Sequence, residues 1–351
     1  MSELTLQSIT KTFGSITALK DVSFTIKNSE FFVLLGPTGA GKSTTLRVIC
    51  GLEKPDSGQV LMDGLDVNGL SPADRDVAIV FQQYSLYPTM TVYDNMAFPL
   101  RAPGRKVPEA DIKAKIEDAA EKLRITHLLK RKTAQLSGGE MQRVSIGRAI
   151  VRRPRVFLMD EPLSNLDAKL REALRAELKH LQKEEGVTTL FVTHDQIEAL
   201  TMADRIGVLD HGNLVQVGTP EDIYDRPANT YVAKLVGTPR INLLTAAVVD
   251  GDLRITDMGI TIKYKGTPPG SEQFTLGIRP EDVHLDPKGK FKGTVALTEP
   301  LGAESVTHIK AGSGEIVSMV AGLVPFKHGD QVNFDISLEH LHFFNDQGQR
   351  I

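Results

Sequence analysis

An α/β domain with a mainly parallel sheet, followed by a smaller all-β domain, is the fold that the sequence predicts. Continuous apolar runs at 31–35, 156–159 and 190–192 read as strands buried on both faces. Segments with helical periodicity separate them, which is the alternation of a parallel α/β sheet. After Gly237-Thr238-Pro239 the texture changes to short β segments divided by turn signals.

Taken in order, Leu4, Leu6 and Ile9 alternate with polar Thr5, Gln7 and Ser8 as in an edge strand. More β pattern follows at 22–26, with interruptions at Gly14 and Asp21. The run 31–35 ends at Gly36, and a helix is expected from Gly41 or Lys42 to about Gly51. The charged region 108–131 has helical periodicity, and a further helix over 138–152 should stop before Pro154. Leu170, Leu174, Leu178 and Leu181 mark one face of a helix over 168–185, and that stripe reads as core packing. In the tail, strands are expected at 245–249, 260–264, 274–278, 292–297 and 331–336. The turn signals between them are Asp250-Gly251, Lys265-Gly266, Pro268-Pro269-Gly270 and Lys288-Gly289, a pattern of barrel type. The domains are accordingly placed at 1–236 and 237–351.

The 351 residues suffice for one large core and a smaller one. A net charge of −3 gives no broad cationic field, so nucleic acid is not expected as a partner. The one cysteine, Cys50, can form neither an intrachain disulfide nor a cysteine metal cluster, which favours a reducing cytosol. Residues 1–9 lack the apolar stretch of a signal peptide, and no run approaches the ~20 apolar residues that span a bilayer. If the protein works at a membrane, another chain carries the membrane part.

Gly36-Pro37-Thr38-Gly39-Ala40-Gly41-Lys42-Ser43, followed by Thr44, matches the P-loop pattern between an apolar strand and a helix. Glycines let successive N–H groups face a phosphate chain, and the helix N-terminus adds positive potential. Lys42 is expected at the β and γ phosphates of ATP, and Ser43 on Mg²⁺. The strand 156–159 runs into Asp160 and Glu161. Asp160 suits the metal, and Glu161 suits a base that polarises water for in-line attack.

Leu136-Ser137-Gly138-Gly139-Glu140, continued by Met141-Gln142-Arg143-Val144, resembles the signature motif of ATP-binding-cassette (ABC) ATPases. Ser137 with the amides of Gly138 and Gly139 opens a helix and makes a second anion site. The resemblance covers about the first 235 residues and implies a head-to-tail homodimer, with ATP between one copy's P-loop and the other's signature. It also implies roles for further residues. Gln82 looks like the glutamine that ligates Mg²⁺ and senses nucleotide, and His194 like the switch histidine at the γ-phosphate. Ser164-Asn165-Leu166-Asp167 resembles the loop that crosses the dimer interface. Phe13 matches the aromatic that stacks on adenine, where Tyr is commoner. Glu140 and Ala40 depart from a frequent glutamine and cysteine at positions that supply no chemistry. The implied fold is a P-loop NTPase cassette with a helical subdomain, then an OB-like domain.

Within the family the phrasing is closest to carbohydrate importers of the maltose and glycerol-phosphate type. The segment from Gln82 to Pro88 is similar to the one that forms, with the helical region, a groove for a permease's coupling helix. Residues 274–282 and 299–304 resemble the transport-associated OB-like tail of that branch, which contributes dimer contacts and sometimes binds regulators. The resemblance implies a homodimer on the cytoplasmic face of a bacterial inner membrane, working with two permease subunits and, indirectly, a periplasmic solute-binding protein. Polyamine, iron and sulfate importers carry related tails and stay open as alternatives. A soluble cassette acting on DNA or ribosomes would show a coiled-coil insertion, zinc cysteines or a tandem cassette, and none is present in the sequence.

Overall fold

The computed structural model describes residues 2–102, 107–264, 266 and 273–351. The turn signals at Lys265 and at Pro268-Pro269-Gly270 lie outside those residues. Two compact units emerge, Met1–Pro220 and Glu221–Ile351. The division thus falls ahead of the Gly237 boundary expected from composition. Its cause is Arg279, which donates to the carbonyls of Tyr224, Ala233 and Val236 and so ties the segment before Gly237 to the β domain.

The first unit begins with β1 (Leu4–Phe13), β2 (Ile16–Ile26), β3 (Phe31–Leu35), α1 (Lys42–Cys50), β4 (Ser57–Met62), β5 (Leu65–Asp66) and β6 (Val77–Val80). Next come α2 (Val92–Ala97), α3 (Glu109–Lys122), α4 (Gly138–Ile150), β7 (Val156–Asp160), α5 (Ala168–Glu185) and β8 (Thr188–Thr193). It ends with α6 (Gln196–Met202), β9 (Arg205–Asp210) and β10 (Asn213–Gly218). A six-stranded sheet has the order β10-β9-β3-β8-β7-β6, parallel throughout except for β10 on its edge. All five residues of β3 are buried, as the unbroken apolar run requires of a strand with parallel neighbours on both sides.

A second sheet, β2-β1-β4-β5, packs its apolar face into the same core. Here the edge-strand expectation for the N-terminus fails, because β1 pairs antiparallel with both β2 and β4. Alternation in β1 marks one buried face and one open face, a pattern shared by interior strands of a one-sided sheet. Asp21 does not end β2; it adopts a left-handed backbone (φ 52°) where the pairing with β1 shifts register.

Helix α5 starts at the Asp167 cap and stops at left-handed Gly186, with Leu174, Leu178 and Leu181 buried. The charged region 108–131 yields a shorter helix than expected, since α3 ends at Lys122 and a 3₁₀ turn follows at Thr126–Leu128.

Helix α7 (Pro220–Asp225) begins at the last residue of the first unit, and with α8 (Thr230–Leu235) it precedes ten strands among the described residues. These are β11 (Asn242–Val249), β12 (Asp252–Ile255), β13 (Ile260–Ile262), β14 (Gln273–Ile278), β15 (Val283–Leu285), β16 (Phe291–Pro300), β17 (Glu304–Ala311), β18 (Gly314–Ala321), β19 (Gln331–Ile336) and β20 (His342–Phe344). They form two antiparallel sheets, β13-β12-β11-β14-β20 and β15-β19-β16-β17-β18, over one core of Ile, Val, Leu and Phe side chains. The result is the barrel-like OB architecture expected of the tail.

Candidate functional site

The site grows from the C-terminal ends of β3, β7 and β8. The P-loop leaves β3 and turns sharply at Gly41, whose φ of 106° suits glycine. A Cβ there would lie 2.5 Å from the Ala18 carbonyl oxygen, so the approach of β2 also requires glycine. The hairpin between β9 and β10 props the loop from outside: Gly212 N–H donates to the Ala40 carbonyl, and Lys20 N–H to the Gly212 carbonyl.

Over the loop lies a cavity of about 500 Å³. Thr38, Gly39, Gly41, Lys42, Ser43 and Thr44 line it, together with Gln82, Asp160 and Glu161. The Ser43 hydroxyl donates to Asp160 Oδ1 at 2.9 Å. Burial raises the Asp160 carboxyl above its ordinary range, the Ser43 hydrogen bond opposes this, and neighbouring Glu161 adds to it. Lys42 is 5% exposed; its ammonium donates to the carbonyls of Gly36 (2.9 Å) and Pro37 (3.0 Å) and lies 3.2 Å from Glu161 Oε1.

Glu161 has a left-handed backbone, φ 45°, rare for a non-glycine residue and often found where a functional side chain is aimed. Its N–H donates to the Val192 carbonyl on β8. Its second oxygen lies 2.8 Å from His194 Nδ1. The His194 side chain is otherwise half-exposed, and Asp195 beside it caps α6 by accepting from the amides of Ile197 and Glu198. Gln82 Nε2 donates to Ser164 Oγ at 3.2 Å, and that hydroxyl donates to the Glu161 carbonyl. Asn165 returns a bond to the Gln82 carbonyl. Arg171 donates to the carbonyls of Ser164 and Leu166 and lies 3.6 Å from Asp195.

The structure therefore assembles Lys42, Ser43, Gln82, Asp160, Glu161 and His194 as one group. Phe13, Ser137, Gly138, Gly139 and Asp167 stand outside the lining of this cavity. Phe13 ends β1 as a 42% exposed ring with the Lys11 ammonium 5.0 Å from its centroid. Ser137 caps α4, and Glu140 completes a capping box by accepting from both Ser137 N–H and its hydroxyl. These two bonds hold the Glu140 carboxyl below its ordinary range. Gly139 packs where a Cβ would meet Leu170 Cδ2 at 2.3 Å.

Sequence reasoning missed Thr17, Lys20 and His211 in the cavity wall and Arg171 behind the Ser164–Asp167 loop. His211 follows Asp210 in a hairpin turn, and no local motif marks it. A hydroxyl, a carboxylate and an amide side chain converge beside the loop. These hard oxygen donors, one of them a carboxylate, fit Mg²⁺ held beside phosphate oxygens.

A second cavity of about 460 Å³ lies among Leu52, Phe81, Tyr87, Phe98 and Arg148. The Tyr87 and Phe98 rings meet at a tilt with centroids 4.6 Å apart, both partly exposed, and Arg148 donates to the carbonyls of Tyr84 and Ser85.

A phosphate loop facing a carboxylate-ended strand defines a P-loop nucleotide-binding protein. The family profile described as "ABC transporter" matches residues 19–164, and that described as "TOBE domain" matches 276–344. The chain is 44% identical to the trehalose/maltose import ATP-binding protein MalK of Thermococcus litoralis, over 98% of each chain. It is 45% identical to the sn-glycerol-3-phosphate import ATP-binding protein UgpC of Psychromonas ingrahamii, over 98% of this chain and 94% of the relative. Among solved structures, the dimeric post-hydrolysis form of the cassette MJ0796 with ADP and Pi aligns with a TM-score of 0.55 and 34% identity, over 62% of this chain and 98% of the other. The chain belongs to the ABC transporter family of ATP-binding proteins. It is an ATP-binding ATPase coupled to transport.

Proposed function

We propose that the chain is the motor of an importer for carbohydrate-type solutes: sugars, oligosaccharides, polyols or glycerol-phosphate derivatives. The observation that carries the catalytic reading is the Glu161 carboxylate, held between Lys42 and His194 next to the Ser43–Asp160 pair. In this reading Glu161 orients a water for in-line attack and takes its proton, and His194 holds the γ-phosphate side of that water. Lys42 leaves the Gly36 and Pro37 carbonyls for the β and γ phosphates. Ser43, Asp160 and Gln82 would hold Mg²⁺, which neutralises phosphate charge when bound. Phe13 supplies a stacking face for adenine.

Two copies arranged head to tail would place Ser137, Gly138 and Gly139 of one against the ATP of the other, with the Asp167 loops between them. Support comes from the signature's position outside the P-loop cavity and from a dimeric cassette among the similar structures. The 460 Å³ groove bearing Tyr87 and Phe98 suits an inserted apolar helix of one permease subunit, so two copies of the chain would engage two permeases. Among the described residues no helix is long and apolar enough to cross a membrane, so the span belongs to partners. The names of the similar importers support carbohydrate cargo. In this reading the chain binds peripherally at the cytoplasmic face of the inner membrane. A periplasmic solute-binding protein would act indirectly, through the permeases.

The test is mass spectrometry of what co-purifies with the tagged chain from gently solubilised membranes. Two permease chains are expected, their type naming the cargo class. A tagged chain found only with soluble partners and absent from membranes overturns the importer reading.

A further inference from the structure

His194 meets Glu161 from a short turn at the end of β8, and that turn is fixed from behind by buried groups. Thr193, 2% exposed, is the last residue of β8, and its carbonyl accepts from Gly36 N–H where the P-loop begins. Its hydroxyl makes two bonds. It accepts from Asp195 N–H at 2.9 Å and donates to Glu198 Oε2 at 2.5 Å. The first bond closes a turn over residues 193–195, with His194 in the middle. The second comes from α6, and the two together select one staggered well of the threonine side chain. Neither Thr193 nor Glu198 lines the nucleotide cavity.

Glu198 is an expensive residue to bury. It is 3% exposed and shares the inward face of α6 with Ala199 and Met202. Burial pushes its carboxyl above the ordinary range against the Thr193 bond; Asp195 adds to the rise, and Arg171 and His194 oppose it. An apolar side chain of similar size would be buried without that desolvation cost. The start of α6 does not need the carboxyl either, because Asp195 Oδ1 already accepts from the amides of Ile197 and Glu198. What Glu198 supplies and a leucine would not is an acceptor for the Thr193 hydroxyl.

We infer that Glu198 is a positioning residue: through the Thr193 hydroxyl it holds the 193–195 turn in the conformation that places His194 Nδ1 2.8 Å from Glu161. This role rests on the reading of His194 and Glu161 as hydrolytic residues, and it assigns their mutual orientation to a carboxyl outside the nucleotide cavity.

The experiment follows the His194 ring nitrogens in the full chain labelled with ¹⁵N-histidine, assigned by their loss in His194→Ala, beside steady-state ATPase kinetics. Glu198→Leu and Thr193→Val each remove the buried bond at similar side-chain volume, and Thr193→Val carries the test if Glu198→Leu does not fold. Both should move the His194 Nδ1 signal. Both should lower kcat by about 10- to 100-fold, in line with the roughly 10²-fold that a misplacement of about 1 Å can cost, with KM for ATP near that of the parent. Glu198→Gln, whose amide oxygen still accepts from the hydroxyl, should restore the parent signal and most of the turnover. The double variant should be no slower than the slower single one, since both remove the same bond. An unmoved His194 signal, losses that add in the double variant, or a disturbance of all histidine signals that Glu198→Gln does not cure would each overturn the role. Full turnover in His194→Ala would overturn the hydrolytic reading of His194 itself. A slow His194→Ala beside parental turnover in the variants that remove the bond would overturn the Glu198 role alone.

Discussion

The Glu161 carboxylate lies 3.2 Å from Lys42 Nζ, so in the proposed mechanism the γ-phosphate competes with it for the same ammonium. Replacing Glu161 by Gln removes both the competitor and the proposed proton acceptor. ATP binding, followed with a fluorescent nucleotide, should hold or tighten, because one negative charge beside the phosphates is gone. Phosphate release should fall by roughly 10²–10⁴-fold, the usual worth of a general base. Turnover within a few-fold of the parent would remove Glu161 from that role.

Arg171 ties together two loops that the sequence presents separately. It donates to the carbonyls of Ser164 and Leu166 and lies 3.6 Å from Asp195, next to His194. Arg171→Ala should loosen both loops, and the loop bearing Asp167 is the one proposed to cross between copies. ATPase activity should drop about tenfold with diminished cooperativity, while ATP binding to the single chain stays near normal. Arg171→Lys, which retains charge without the fork, should fall between. Unaltered cooperativity in Arg171→Ala would show that the contact is structural only.

Most of the motifs are legible because they are local. A P-loop, a carboxylate-ended strand and a capping-box signature each fit within a few consecutive residues, and each stands on the element expected. Arg171, His211 and Lys20 escaped because their roles come from tertiary proximity, with no spacing rule to mark them. The N-terminal strand was misread as an edge because alternation reports which faces are buried and is silent about neighbours. The domain boundary shifted for a similar reason: only the folded chain brings Arg279 to the carbonyls of Tyr224, Ala233 and Val236.

Glu140 closes the capping box on Ser137. Glu140→Ala should cost about 1 kcal/mol at the start of α4, read as faster amide exchange in its first turn. Glu140→Gln should retain most of that protection, because its amide oxygen can still accept from Ser137. The carboxyl's lowered pKa gives the sign of the acid response. The stabilisation is complete above the unfolded value of about 4.3 and is lost as pH falls through the lower folded value. Protection that is independent of pH below about 4 would contradict the charged box.

His342 sets the acid response of the second unit. Its imidazole titrates near 4 in the folded chain, against about 6.5 unfolded. Between those values the unfolded chain carries a proton that the folded chain lacks, so lowering the pH favours unfolding. Stability contributed by the neutral ring is present above about 6.5 and declines through the window down to about 4, by up to about 3 kcal/mol. Arg279, Arg350 and His340 surround the ring and resist its protonation. Amide exchange in β14 and β20, which pair with each other, should therefore accelerate between pH 6.5 and pH 5 beyond the intrinsic dependence of exchange on pH. His342→Gln keeps a neutral side chain and has no proton to gain, so it should flatten that component. An identical slope in parent and variant would move the acid sensitivity elsewhere. A flattened slope would tie it to the one imidazole that the fold buries among cations.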